Sequence, residues 1–304
     1  MKNKLIHTAI SAVSQKIYDK EEQIKLAFAC VLANGHLLIE DKPGLGKTTL
    51  ANAMSEVLGL DFGRIQFTSD MLPSDVLGVS IFQPNTSDFK FFQGPIFTQL
   101  LLADELNRGT PRTQSALLEA MAEQQVSVDG HTYTLKQPFF VIATQNPTDE
   151  SGTFPLPDSQ LDRFSISLSL GYPSPKAERR LYSEDFTSQF NKSLDTLIDA
   201  EQLKSIQLYI EKIHASDEVK DYLQLLVGQT RTHSLLVDGL SPRAGLALFR
   251  ISQSLAYIEG RDFLVPEDVK KAFLPIAIHR MRSRSSQHNV VDILEKLLNE
   301  TRIP

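Results

Sequence analysis

Apolar residues in the first 175 positions fall into short runs that alternate with segments of helical spacing. Five runs have the length and apolar content of buried strands: His36–Glu40, Arg64–Thr68, Gln99–Ala103, Pro138–Thr144 and Phe164–Leu168. Strands that alternate with helices predict a parallel sheet covered by helices. Four of the runs end where a polar motif begins, and ligands of such sheets bind beyond the carboxyl ends of the strands.

The pattern changes at Gly171–Pro175, where two prolines follow the last strand-like run and most later residues have helical spacing. We therefore predict an α/β protein with two parts. Residues 1–172 are expected to form an αβα core on a five-stranded parallel sheet. Residues 173–304 are expected to form a smaller helical domain.

Two segments of the first part alternate in the manner of β-hairpins. Val126–Leu135 alternates around Asp129-Gly130, a strong signal for a two-residue turn. Val79–Phe92 carries large apolar residues on both sides of Pro84-Asn85. We predict that both hairpins are inserted between elements of the core.

The 304 residues include 41% hydrophobic and 22% charged side chains, the balance of a globular protein. The net charge of −6 lies wholly in residues 1–175, which carry thirteen basic and nineteen acidic side chains, and this disfavours a nucleic-acid partner. The single Cys30 excludes an intramolecular disulfide and a cysteine zinc site. The uncharged stretch Leu26–Ile39 is too short for a membrane span, and the first residues lack an export signal, so we expect a cytoplasmic protein.

A loop with phosphate-binding chemistry, Asp41–Thr48, lies between the first predicted strand and a helical run. Its glycines allow backbone N–H groups to approach phosphates, Lys47 offers a positive charge, and Thr48 offers a hydroxyl to Mg²⁺. The loop departs from G-x-x-x-x-G-K-[ST] at Asp41, a residue that tolerates unusual turn backbone. The residues predicted to bind ATP or ADP are Pro43, Gly44, Leu45, Gly46, Lys47, Thr48 and Thr49.

A second motif is the apolar run that ends in the adjacent carboxylates Asp104 and Glu105. Adjacent strand residues point to opposite faces, which predicts separate tasks for the two carboxylates. Asp104, together with Thr48, is expected to hold Mg²⁺. Glu105 is expected to deprotonate a water that attacks the γ-phosphate.

Three further polar residues follow strands or begin helices at positions that could reach ATP. Asn146, in Gln145-Asn146-Pro147, can donate to the γ-phosphate or the attacking water, or it can simply begin a turn. Arg163 precedes the last strand-like run. Arg243 lies in the first turn of a helix with Ser241 as N-cap. Either arginine alone would indicate only a surface ion pair.

These elements in this order resemble an AAA+ ATPase, and the exact sequences of the motifs resemble its MoxR branch. The resemblance rests on Leu101–Arg108, Thr113–Met121, Ala143–Pro147 and Leu161–Phe164. It implies a five-stranded core with a helical lid, ATP between them, and assembly into homo-oligomeric rings, usually hexamers. It also assigns roles to polar residues: Asp104 and Glu105 as the Walker B pair, Asn146 and Arg243 as sensors, Arg163 as the arginine finger and Arg108 as a second intersubunit candidate.

The resemblance further implies a chaperone-like enzyme that remodels protein clients, often with a partner that bears a von Willebrand factor A domain. The hairpins correspond to insertions that face the ring pore or substrate, where Phe89, Phe91, His131 and Tyr133 are candidate contacts. The sequence Tyr18–Glu21 differs from the one usual in this family at the segment near the adenine of ATP. Two alternatives stay open: a ring NTPase that acts on nucleic acid, and a nucleotide-dependent switch with little turnover. The basic cluster His279–Arg284 is expected to be a solvated helix face or a ring contact.

Overall fold

Five strands form a parallel sheet in the computed structural model, which describes residues 3–146, 152–182, 192–285 and 287–303. The predicted strands are confirmed, with bounds shifted by one or two residues. The order across the sheet is β2-β5-β8-β1-β9. These strands are β1 (Leu37–Glu40), β2 (Phe62–Gln66), β5 (Leu100–Asp104), β8 (Phe140–Gln145) and β9 (Ile166–Leu168).

Side chains alternate between the two faces of this sheet, as the two-residue period of a strand requires. In β1, Leu37 and Ile39 belong to one hydrophobic cluster and Leu38 to another. Both faces are buried, which explains why the strands lack polar alternation. The carboxyl ends of β1, β5 and β8 lie side by side and bring the polar motifs together.

Helices before residue 182 cover both faces of the sheet. The face that carries Leu37 packs against the first three helices, and the opposite face packs against the fourth and fifth. The helices up to residue 182 are α1 (Lys4–Ser14), α2 (Glu21–Leu32), α3 (Lys47–Val57), α4 (Pro73–Leu77), α5 (Pro111–Glu123), α6 (Asp158–Leu161) and α7 (Pro175–Leu181).

The two predicted hairpins are present. They consist of β3 (Gly78–Gln83) with β4 (Asp88–Gln93), and β6 (Gln125–Val128) with β7 (His131–Thr134). The hairpins contact each other, because Phe91 stacks on Tyr133 with ring centroids 4.2 Å apart and Phe97 meets both rings edge-on. Phe89, in contrast, is 67% exposed.

The C-terminal residues are helical, as predicted. Their helices are α8 (Ala200–Ile210), α9 (Asp217–Thr232), α10 (Pro242–Ile258), α11 (Pro266–Ala277) and α12 (Val290–Glu300). Helix α10 packs against α2 and α11, so a single hydrophobic cluster continues from the sheet into the C-terminal helices. Ser241 caps α10 as predicted, since its hydroxyl accepts a hydrogen bond from the N–H of Ala244. Across the described ranges, no helix has both the length and the apolar content to cross a membrane.

The basic cluster His279–Arg284 does not lie on a helix, so the first of its two expected roles, a solvated helix face, is wrong, while a ring contact stays a prediction. Helix α11 ends at Ala277, and the cluster follows it into irregular structure. Only 4% of the Arg280 side chain is exposed, while its Nε lies 2.8 Å from a carboxylate oxygen of Asp162. Arg284 donates to the carbonyl of Leu236, and Arg282 pairs with Asp158. Most of the cluster's donors are therefore used within the chain.

Candidate active site

A pocket of about 540 Å³ lies at the carboxyl ends of the strands and collects the predicted phosphate-binding residues. Pro43 to Thr49 line it, together with Asp104, Glu105 and Asn146. The lining also includes four cationic side chains, Lys16, Lys20, Lys47 and Arg64. This concentration of cations and backbone N–H groups suits a polyphosphate.

The glycine loop has the backbone that a phosphate cradle requires. Gly44 and Gly46 have φ angles of +81° and +90°, a region that favours glycine. A Cβ at either position would meet no heavy atom within 4 Å, so open space lies beside the loop. Helix α3 begins at Lys47, so its amino-terminal end lies at the loop that borders this space. The loop therefore fits the phosphates of ATP or ADP.

Lys47 is nearly buried and lies between two parts of the site. Its Nζ donates to the carbonyl of Asp41 at 2.6 Å and to Oδ1 of Asn146 at 3.3 Å. The ammonium group is thus held at the meeting point of the loop and the end of β8.

Asp41 has a different role from the one its position in the motif predicted. It is absent from the residues with positive φ, so tolerance of unusual backbone does not explain it. Its buried carboxylate accepts hydrogen bonds from the N–H groups of Leu170 and Gly171 and from the Ser169 hydroxyl. Asp41 therefore joins the start of the loop to the segment that leaves β9.

Asp104 is the last residue of β5, and both of its carboxylate oxygens are engaged. Thr144 donates to Oδ1 at 2.7 Å, and Arg64 donates to Oδ2 at 2.7 Å. Carboxylate and hydroxyl oxygens are the ligands that Mg²⁺ prefers, so Asp104 and Thr48 on one pocket wall fit this ion.

Glu105 lies on the same side as Asp104, contrary to the alternation expected from a strand. The strand ends at Asp104, and Glu105 has left-handed backbone angles of φ 53° and ψ 47°. This conformation is strained for a residue with a side chain, and the backbone N–H of Glu105 is fixed by a 2.8 Å bond to the Thr144 hydroxyl. The turn brings the Glu105 side chain into the pocket.

Asn146 and Arg108 hold the Glu105 carboxylate from two sides. The Asn146 amide donates to Oε1 at 3.4 Å, and Nε of Arg108 lies 2.9 Å from Oε2. The backbone carbonyl of Asn146 accepts from the buried Asn107 amide at 3.0 Å. Pro147, which was expected to fix Asn146, lies outside the described residues.

Glu40, at the end of β1, is a half-buried carboxyl group beside the loop. Burial raises its pKa above the usual value, while a hydrogen bond from Gln145 acts in the opposite direction. Glu40 does not line the pocket.

Arg163 and Arg243 do not line the pocket of their own chain. A guanidinium nitrogen of Arg163 donates to the carbonyl of Leu118 on α5. Arg243 is exposed and borders a separate groove of about 210 Å³ with Asn34 and Arg250. Arg243 therefore does not face the nucleotide pocket of its own chain, as its predicted role as a sensor assumed, while the contact of Arg163 with a neighbour's nucleotide stays a prediction.

The helices from α8 to α12 do not line the pocket, so the predicted C-terminal domain, residues 173–304, contributes to it only through Pro173, Ala177 and Leu181 among its described residues. Helix α10 packs beside α2, and α11 beside β9, which places them at the edge of the sheet. Among described residues after β9, only Gly171, Pro173, Ala177 and Leu181 line the pocket. With Ile17 and Tyr18 they form an apolar wall that suits a nucleotide base.

Sequence reasoning missed Thr144 and Arg64, as well as the pocket cations Lys16 and Lys20. Thr144 links Asp104 to the backbone of Glu105. The sequence feature that could have identified it is a single hydroxyl residue at the end of an apolar strand. Arg64 lies in a strand-like run, where nothing marked it as a neighbour of Asp104.

A glycine loop between β1 and α3, with a carboxylate pair on β5 and an asparagine after β8, defines a P-loop ATPase of the AAA+ class. A family model described as "ATPase family associated with various cellular activities (AAA)" matches residues 36–166, and one for the AAA lid domain matches residues 228–297.

Individual relatives are similar over most of the chain. "Chaperone MoxR1" of Mycobacterium tuberculosis is 36% identical over 91% of this chain and 76% of its own length. The uncharacterised protein YeaC of Bacillus subtilis is 43% identical over 91% of this chain and 87% of its own length. A crystal structure of a proposed ATPase from Cytophaga hutchinsonii superposes with a TM-score of 0.92 at 33% identity and covers 100% of this chain and 96% of that one. This chain belongs to the MoxR family of AAA+ ATPases.

Proposed function

We propose that the chain hydrolyses ATP to ADP and phosphate with Glu105 as general base. The observation that carries this proposal is the convergence of Lys47, Asp104, Glu105 and Asn146 on one pocket beside the glycine loop. Asn146 contacts both Lys47 and Glu105, a position suited to a residue that orients the attacking water.

Thr48 and Asp104 would hold Mg²⁺ in this pocket. The bound ion would neutralise charge on the phosphates. The chain's own residues do the rest: Lys47 faces the phosphates, the N–H groups of the loop and of α3 bind them, and Glu105 accepts a proton from water. The apolar wall at Tyr18, Ala177 and Leu181 would exclude solvent around the base.

We propose that Arg163 and Arg243 act on the ATP of a neighbouring protomer in a homo-oligomeric ring, with a hexamer as the expected size. Their common attachment supports a joint role. Ser241, two residues before Arg243, donates to the carboxylate of Asp162, which directly precedes Arg163. An arginine supplied to the γ-phosphate contributes about 10³ to 10⁵ in rate in related phosphoryl transfers. Arg108, which already pairs with Glu105, is the second intersubunit candidate.

The proposed work of this ATPase is chaperone-like remodelling of protein clients in the cytoplasm, with a von Willebrand factor A domain protein as its adaptor. The relative named as a chaperone supports this class of role. Action on nucleic acid is the second candidate, but the basic cluster that favoured it makes internal bonds to Asp158 and Asp162. Negligible binding of DNA at low salt is therefore expected.

A mixing experiment tests both hydrolysis and assembly. Glu105→Gln and Arg163→Ala are each expected to bind ATP without turnover. When the two variants are mixed, a protomer with an intact Glu105 can meet a neighbour with an intact Arg163, and activity should return. The ATPase rate per wild-type protomer should also rise with protein concentration.

Three outcomes would change the proposal. A rate that is independent of concentration would remove the intersubunit role, and full activity of Glu105→Gln would remove the general base. Bound ATP with no turnover at any concentration would favour the nucleotide-dependent switch.

A further inference from the structure

Arg64 on β2 reaches the metal-binding carboxylate of the neighbouring strand. Gln66 lies opposite Asp104 in the parallel register, and Arg64 is two residues earlier, so all three share one face of the sheet. The Arg64 guanidinium extends along this face and donates to Asp104 Oδ2 at 2.7 Å and to Gln66 Oε1 at 3.1 Å. Arg64 is also part of the pocket wall.

This ion pair is unequal in burial. The Asp104 side chain is 12% exposed, whereas that of Arg64 is 49% exposed. Asp104 is held in place by the strand and by Thr144, while Arg64 is a long side chain with a solvated end. A pair of this kind contributes under about 1 kcal/mol to stability, so Arg64 can leave Asp104 at little cost to folding.

The position of Arg64 has a direct consequence for a cation. Oδ2 is the Asp104 oxygen that Thr144 does not use, and the guanidinium occupies it. An arginine cannot lose its proton in a protein, so this positive charge competes with any metal at Asp104 at every accessible pH. Gln66 provides a second acceptor that keeps the displaced guanidinium close to the pocket.

We propose that Arg64 is the counter-charge of Asp104 in the metal-free site and sets how strongly nucleotide binding depends on Mg²⁺. This inference rests on the proposed nucleotide site. Without metal, Arg64 compensates Asp104 and adds positive charge beside the phosphates. With Mg²⁺ and nucleotide bound, Arg64 would share or release Oδ2 and remain on the pocket wall. Arg64 is thus a positioning residue that makes the affinity for nucleotide less dependent on the metal.

The test uses the full chain and a fluorescent nucleotide, N-methylanthraniloyl-ADP, so that the readout is independent of turnover. The dissociation constant is measured in excess MgCl₂ and in excess EDTA for the wild type and for Arg64→Gln. The ratio of the EDTA value to the Mg²⁺ value is expected to rise about fivefold or more in Arg64→Gln, the lower end of usual coupling between two ligands. Arg64→Lys keeps the charge and should stay much closer to the wild type.

Lys136→Gln is a matched control, because Lys136 is an exposed lysine paired with Asp61 outside the pocket. It should leave the ratio unchanged. An unchanged ratio in Arg64→Gln would overturn the proposal, and a lower ratio would mean that Arg64 assists the metal instead of competing with it. Failure of the wild type to bind the nucleotide in either buffer would instead refute the proposed ATP site.

Discussion

Replacement of Arg280 by methionine is expected to destabilise the chain strongly, because this arginine connects the C-terminal helices to the segment around Arg163. Its guanidinium donates to the Asp162 carboxylate and to the carbonyls of Asp162, Phe164, Ser165 and Ile276. Burial lowers the pKa of Arg280, and the neighbouring Asp162 acts in the opposite direction. Arg280→Met removes every one of these donors while keeping much of the side-chain volume.

The magnitude follows from the burial of the pair. Removal of one partner of a buried ion pair costs about 3 to 5 kcal/mol, because the remaining charge loses its compensation. Asp162 is partly exposed and keeps its bond from Ser241, so the lower end of this range applies to the pair. The abandoned carbonyls add only about 1 kcal/mol in all, because the Phe164 carbonyl keeps its contact with His279 Nε2 and residues Asp162 and Ser165 are half-buried, within reach of water. We therefore expect a loss of about 4 kcal/mol.

Urea unfolding followed by circular dichroism measures this loss. With a slope near 3 kcal/mol per molar urea, the midpoint should fall by about 1.3 M. Arg282→Met is the matched control from the same cluster, since its side chain is 63% exposed and pairs with an exposed Asp158; its effect should stay below about 1 kcal/mol. Equal midpoints for Arg280→Met and Arg282→Met would refute the reasoning from burial.

Three further changes have expected outcomes. Asp41→Asn removes the negative charge that accepts hydrogen bonds from the N–H groups after β9. It should lower the free energy of unfolding, measured in urea, by about 2 kcal/mol. An effect below about 0.5 kcal/mol would contradict this role. Burial lowers the pKa of His279 from 6.5 to about 3. Between these two pH values the unfolded chain is protonated at His279 and the folded chain is not. Stability should fall as the pH drops below 6.5, and melting curves of His279→Gln should show a weaker fall if this reasoning holds. Phe91→Ala should cost about 2 kcal/mol through its ring contacts, and Phe89→Ala under about 0.5 kcal/mol; the reverse order of their melting temperatures would contradict the observed packing.

Features that depend on local sequence were predicted well. The glycine loop lies between a strand and a helix, both hairpins were placed, and Ser241 caps its helix, because turn and capping chemistry act over a few residues. The strands were found for a similar reason, since residues buried on both faces form continuous apolar runs.

Features that depend on distant contacts could not be predicted in the same way. The pairing of Arg64 with Asp104 depends on the register of two strands, and the two residues are forty positions apart in the sequence. The role of Asp41 depends on contacts with the segment after β9, at Gly171. The basic cluster was misinterpreted because composition cannot tell whether Arg280 meets solvent or Asp162. The left-handed backbone of Glu105 ends the strand one residue before the alternation argument assumed.

The same contacts give the proposed ring a physical route between neighbouring sites. Arg163 and Arg243 are joined through Asp162, which binds both Ser241 at the start of α10 and Arg280 after α11. Helix α10 packs along α2, and the residues just before α2 line the chain's own pocket near Tyr18. If a neighbour's phosphate displaced the two arginines, the displacement would act on the packed helices α10 and α2. These helices would move together, because close-packed interiors have low compressibility. In the proposed ring, this route predicts that ATP in one protomer biases the pocket wall at Tyr18 of the next, and that the coupling requires both Asp162 contacts.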